Sequence, residues 1–303
     1  MTLCLPFVFF AAISASLSNF FMRKNIEGGG SSAGYLVLHF AISLAVALIL
    51  NPVWKPEIPL HLPMLALGLS IGLLMVVMMI LTSYSLNTGP AAITFAFQNG
   101  GCVFPTLILF AIFGNEYGFT ISPGLIFGGL LVLIGLFWAA AKQKSAKSAT
   151  PSWFFFASAM FLMQTFILTL FQWKCLLTQS NLPDHTLIPF SCTLFEEGWL
   201  MPGMFIAAAL FQTVYFLAKE KRGLKRGEIG WGILGGIGNG ASTYLLLQAN
   251  MAASPQEKGV IFPFFAVAVI LICNAWGQWL YREKVSWPAN GVCSAGIFLA
   301  AFA

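Results

Sequence analysis

Apolar residues along this chain come in about ten blocks of roughly 18 to 24, separated by short polar stretches. Each block is long enough to cross a hydrocarbon core of about 30 Å as a helix. The pattern predicts spans at 3–22, 32–50, 64–83, 90–113 and 123–141, then at 153–176, 199–218, 229–250, 260–280 and 288–303. The polar segment KQKSAKSATPS, 142–152, divides them five and five. An odd number of spans per half forces the halves into opposite orientations, which is the geometry of an inverted repeat. The expected fold is therefore all-α and polytopic, with ten transmembrane helices in two inverted five-helix repeats, 1–141 and 153–303, joined by the linker 142–152.

Composition strengthens this picture. Of 303 residues, 58% are hydrophobic and 8% charged, against about a quarter charged in soluble domains. A fold in water has no interior large enough to hide that much apolar surface, so a bilayer is the expected partner. The net charge of +5 resides in the connections, where the positive-inside effect accounts for it without any nucleic-acid partner. Arg23 and Lys24 follow the first apolar block rather than precede it, the order of a retained span rather than a cleaved leader.

Candidate chemistry is sparse. Six cysteines are scattered without a CxxC pair, so no metal or redox centre is expected; only Cys175 and Cys192 bracket a loop that a disulfide would close. His39, His61 and His185 lie far apart, and no carboxylate pair or HExxH motif stands in a span. Nothing here builds a catalytic site or holds a cofactor. Asp184 with His185, and Glu196 with Glu197, fall in the loop after the sixth span and are expected to be solvated or structural. His39, inside the second span, is expected to be a hydrogen-bonded structural residue.

Polar residues inside the spans carry the functional reading, because an unpaired polar group in hydrocarbon costs several kcal/mol. In TFAFQNGGCVFP, 94–105, two primary amides and a glycine pair stand amid apolar neighbours. Thr94, Gln98, Gly101 and Pro105 share one helical face. Ser18 and Asn19, Gln164, Asn239 and Thr243, and Asn274 supply comparable positions in other spans. Together with Asn99, these residues are the candidate lining of a polar pathway, with Phe95 or Tyr244 available to stack on a planar cargo. The alternative for each is interhelical glue. Gly232, Gly236 and Gly240, like Gly124 and Gly128, repeat every fourth residue and predict close helix packing. Trp173, Trp199, Trp276 and Trp279 near span ends predict an aromatic belt.

The two halves also match each other. Glu116 precedes Gly124 by the interval at which Glu283 precedes Gly291, and Pro90 and Pro255 open the preceding spans. The segments SYSLNTGPAAITFAFQNGGCVFPTLILFAIFGNEYGF and LQANMAASPQEKGVIFPFFAVAVILICNAWGQWLYREKVS resemble the last part of an EamA-type repeat of the drug/metabolite transporter (DMT) superfamily. The resemblance implies ten helices and transport of small solutes, a class that includes amino acids, nucleotide derivatives, drugs and lipid precursors. It departs from the pattern at Asn115 and Arg282, where a glycine commonly precedes the glutamate. Glu116 and Glu283 are expected to cap or pair at helix ends.

The expectation is thus a multi-pass protein of a cell membrane, inner or plasma, that moves a small metabolite by alternating access as a monomer or homodimer. Lipid-precursor flipping and a non-transporting assembly role are the alternatives. No embedded carboxylate is present for proton antiport. Twelve of the fifteen Lys and Arg fall in the odd-numbered connections, which predicts external termini, whereas the family resemblance implies cytosolic ones.

Overall fold

The computed structural model describes residues 4–51, 53–55, 58–144, 151–178, 183, 185–193, 195–252 and 255–302. Six residues of the expected linker, 145–150, and Asp184 lie outside them. The chain forms α1 (Cys4–Glu27), α2 (Ser32–Leu50), α3 (Leu62–Thr88), α4 (Ala91–Gly100), α5 (Phe104–Phe113), α6 (Pro123–Lys144), α7 (Pro151–Leu177), α8 (Leu200–Glu220), α9 (Arg226–Ala252), α10 (Pro255–Tyr281) and α11 (Trp287–Ala301). Among the described residues there is no strand. Among the described residues eight helical stretches are long and apolar enough to span a bilayer, α4 and α5 together counting as one. The others are α9, which is diluted by glycines and polar residues, and α11, whose 15 residues extend about 22 Å.

The fourth predicted span is broken in its middle. Pro105 cannot donate a backbone hydrogen bond, and the turn Gly101–Val103 tightens to a 3₁₀ helix just before it. The Gly101 carbonyl so released accepts instead from the Phe104 N–H and, at 3.4 Å, from the Thr165 hydroxyl. A side chain at Gly101 would collide with that hydroxyl, its Cβ lying 2.5 Å from Oγ1. Gly101 therefore admits α7 to the break, while a Cβ at Gly100 would lie 2.9 Å from Leu136 of α6.

The chain divides into two compact units, each drawing on both halves of the sequence: Met1–Ser16, Leu81–Thr169 and Leu245–Ala303 form one, Leu17–Ile80 and Leu170–Tyr244 the other. In the first unit α6 packs along α11 and α4 along α10. The α6–α11 seam is made by small residues: a Cβ at Gly128 would lie 2.5 Å from the Gly296 carbonyl oxygen, and one at Gly135 would lie 2.7 Å from the Cys293 amide nitrogen. Cys4, Val8, Ala249 and Ile261 add a separate apolar cluster.

In the second unit α2 packs along α8. The repeating glycines of α9 face α2, where a Cβ at Gly232 would lie 2.9 Å from the Tyr35 carbonyl oxygen, at Gly236 2.6 Å from that of His39, and at Gly240 2.8 Å from Val46 Cβ. This is the close packing expected of their spacing. α3 meets α8 in the same way, a Cβ at Gly203 lying 2.7 Å from the Leu65 carbonyl oxygen.

Candidate functional site

The polar residues singled out from the sequence are distributed over both units. Ser18, Asn19, Asn239 and Thr243 belong to the second; Thr94, Gln98, Asn99, Gln164 and Asn274 belong to the first. Several have their polar atoms engaged by nearby protein groups.

In the first unit the Thr94 hydroxyl donates to the Pro90 carbonyl at 2.8 Å, accepts from Trp153 Nε1 at 3.0 Å and meets Ser85 Oγ at 3.0 Å. One donor and two acceptor positions are all that a hydroxyl has, so Thr94 fastens α3, α4 and α7 together. Asn99 Nδ2 turns back on its own helix and donates to the Phe95 carbonyl at 2.8 Å. Phe95 is buried edge-on against Trp276, with ring centroids 5.8 Å apart. Trp276 is thus a packing residue rather than part of an aromatic belt, whereas Trp279 is exposed. Gln98 and Gln164 are half-buried.

Asn274, on α10, differs from these. Its side chain is 0% exposed, and neither Nδ2 nor Oδ1 has a partner within bonding distance among the described residues. Asn290 and Ser294, one turn apart on α11, are buried with Nδ2 and Oγ in the same condition. The hairpin register brings these positions to similar heights: Trp287 Nε1 donates to Gln278 Oε1 at 2.7 Å near the turn, and Phe264 meets Phe298 at 6.5 Å toward the far end. Asn290 and Ser294 were not anticipated, because an α11 span reads from sequence as an apolar closing helix.

At the end of α10 the chain turns back. Glu283 Oε1 accepts from the Ala91 N–H at 3.0 Å and Oε2 from the Ala92 N–H at 2.9 Å. A carboxylate therefore caps α4 from a residue 192 positions away, meeting both the free donors and the positive end of the helix dipole. Gly277 makes this possible: a Cβ there would lie 3.1 Å from Ala92 Cβ and 3.3 Å from Glu283 Oε2. Glu116, the matching residue of the first half, is exposed in a 3₁₀ turn, Asn115–Tyr117.

In the second unit Tyr35, His39 and Ser43 form a ladder along α2. The Tyr35 hydroxyl donates to the Ser18 carbonyl at 3.0 Å and lies 3.3 Å from His39 Nδ1. Ser43 Oγ shares its single proton between the His39 and Gly236 carbonyls, at 2.8 and 3.0 Å, and accepts from Asn239 Nδ2 at 3.1 Å. Asn239 thereby joins α9 to α2, and the Thr243 hydroxyl donates to the Asn239 carbonyl at 2.9 Å. These contacts join α2 to α9, and His39 Nε2 is buried without a partner among the described residues.

Charged groups at the ends of the second unit are structural. Glu228, fully buried, accepts from both guanidinium ends of Arg222 at 3.0 and 2.6 Å, from Ser31 N at 2.7 Å and from Lys225 N at 2.8 Å. Burial opposes its ionisation, but the Arg222 guanidinium and the two backbone donors outweigh it and hold the carboxyl down at about 2. Lys174, buried in the last turn of α7, pairs with Glu197. The sequence does not announce that pair, since the lysine reads as a span-end cation. Glu196 accepts from the Thr193 N–H and hydroxyl, which keep its carboxyl below its ordinary range. His185 Nδ1 accepts from the Leu187 N–H at 3.1 Å. All six cysteines are free, Cys175 and Cys192 included, and burial followed by the nearby Glu197 pushes the Cys192 thiol up to about 11. Among the described residues no group of histidines, cysteines and carboxylates is placed to hold a metal ion.

Helices of this length and apolarity, glycine-lined seams and polar groups engaged between helices define the class: an integral membrane protein with multiple helical spans. No family model and no curated protein matches the chain. Seven chains of solved structures do. One of them, a crystal structure of a protein, is 14% identical over 98% of this chain and 94% of its own, with a TM-score of 0.61. The likeness extends to the fold and carries no activity with it.

Proposed function

We propose that the chain is a secondary transporter of a small polar or amphipathic metabolite, an EamA-like member of the drug/metabolite transporter superfamily with ten spans in two inverted repeats. Like pairs with like: α2 with α8, α4 with α10 and α6 with α11 are the second, fourth and fifth spans of each half. Two-fold related repeats of opposite orientation would generate such pairing. The resemblance of both halves to the EamA repeat supports the same reading.

Asn274 is the observation that carries transport. A buried carboxamide without partners destabilises a fold by several kcal/mol, and a membrane protein keeps one where water or a solute supplies the missing bonds. The polar residues singled out in the spans are amides and hydroxyls, which offer hydrogen-bond donors and acceptors to a polar solute.

The test separates function from packing. Replacing Asn274 by leucine, of similar volume, should raise thermal stability by about 1 to 3 kcal/mol, since it removes an unpaired polar group. It should also lower solute flux into proteoliposomes at least tenfold for a metabolite found by thermal-shift screening, in which a bound solute raises the melting temperature by mass action. Unchanged flux with raised stability would refute the pathway role.

A further inference from the structure

We propose that Glu283 and Glu116 are the two arms of an alternating latch: Glu283 holds the N-terminus of α4 in this conformation, and Glu116 holds that of α10 in the opposite one. The inference rests on the inverted-repeat transporter reading and deepens it.

The two glutamates occupy equivalent places, yet they are in different states. Glu283 follows α10 and binds the first two free N–H groups of α4, those after Pro90. Glu116 follows α5, the continuation of α4 beyond its break, and stands exposed. The equivalent donors on α10 are the N–H groups of Gln256 and Glu257, because Pro255 has none. α10 runs antiparallel to α4, with Gly277 beside Ala92, so its start is directed toward the end of the α4–α5 stretch that carries Glu116.

A static pair of structural caps in a two-fold related molecule would be engaged at both ends. Engagement at one end alone is the asymmetry expected when two repeats exchange conformations during alternating access. The turn that carries Glu116 lies between Gly114 and Gly118, whose φ of 73° and 82° are backbone regions that glycine enters without strain. Glu283, by contrast, is anchored through its own N–H to the Gly277 carbonyl at 3.1 Å. Each glutamate is a positioning residue that acts through a helix end and does not touch the cargo.

Amide hydrogen exchange on the full-length protein in lipid nanodiscs, without solute, tests the coupling. Glu283→Gln should speed exchange at Ala91 and Ala92 about tenfold, the effect of losing a charge-assisted cap, and slow it at Gln256 and Glu257. Glu116→Gln, at an exposed position that folding does not need, should slow exchange at Ala91 and Ala92 by trapping the Glu283 arm. Glu283→Asp, too short to span both donors, should behave like Glu283→Gln. If Glu116→Gln leaves Ala91 and Ala92 unchanged, or if each variant acts only on its own end, the latch is refuted and Glu283 is a static cap. Because exchange is read without cargo, absence of flux in liposomes would count against the transporter reading alone, and flux without reciprocity against the latch alone.

Discussion

At Arg282 the backbone enters the left-handed region, with φ of 51°, a conformation that costs a non-glycine residue about 1 kcal/mol. A glycine at this position would enter that region without strain. Arg282→Gly should raise stability by about 1 kcal/mol, read as a higher melting temperature in detergent. The amides of the fourth span were legible only as positions. Helical spacing assigns a face, but whether an amide bends back to its own backbone, as Asn99 does to Phe95, depends on rotamer and neighbours that spacing does not encode. Thr94 and Asn239 belong to the same case. Asn274 could be found as a polar residue at membrane depth, yet its lack of partners is a property of α10's surroundings and not of its sequence.

At the level of the helix, the fourth-residue glycines of α9 were a readable signal, because only a residue without Cβ lets two backbones approach this closely. Gly236→Ala would place a methyl 2.6 Å from the His39 carbonyl oxygen and 2.7 Å from Ile42 Cβ, and should cost at least about 2 kcal/mol. Gly230, on the same helix, gives the contrast, because a Cβ there would meet nothing within 4 Å among the described residues. Gly230→Ala should therefore stabilise by about 0.5 to 1 kcal/mol. Thermal unfolding of both variants decides whether spacing or composition makes the seam. The cap of α2 by Glu228 was not readable, since its donors at Ser31 and Arg222 come from separate segments. A carboxyl whose pKa is lowered by folding stabilises fully above its unfolded value and loses that contribution as pH falls through its folded one. For Glu228 the window runs from 4.5 down to about 2. The wild type should lose stability across it more steeply than Glu228→Gln, which at neutral pH should already be less stable by about 1 to 2 kcal/mol because the Ser31 and Lys225 N–H groups and Arg222 lose their charged acceptor. Parallel pH slopes for the two proteins would show that Glu228 is not the titrating group.

For the whole molecule, the division of spans into five and five predicts a cut in the sequence that does not coincide with the compact units. Each unit takes helices from both halves: α2 with α8 in one, α4 with α10 and α6 with α11 in the other. The principal helix pairings therefore join the halves. A half expressed alone would expose to lipid the glycine seams of α6 or α9 and, in the first half, leave the α4 N-terminus without Glu283. Helix association in a bilayer depends on close packing and polar bonds rather than on hydrophobic burial, so unpaired seams give an isolated half little reason to hold together. Severing the chain inside the polar segment 142–152 and expressing both pieces together should yield a complex that copurifies through a tag on either piece and melts near the intact protein. Each piece alone should be degraded or aggregate. Accumulation of a stable, monodisperse first half on its own would mean that contacts within 1–141 suffice, and that the pairing of equivalent helices is a consequence of the fold rather than what holds it together.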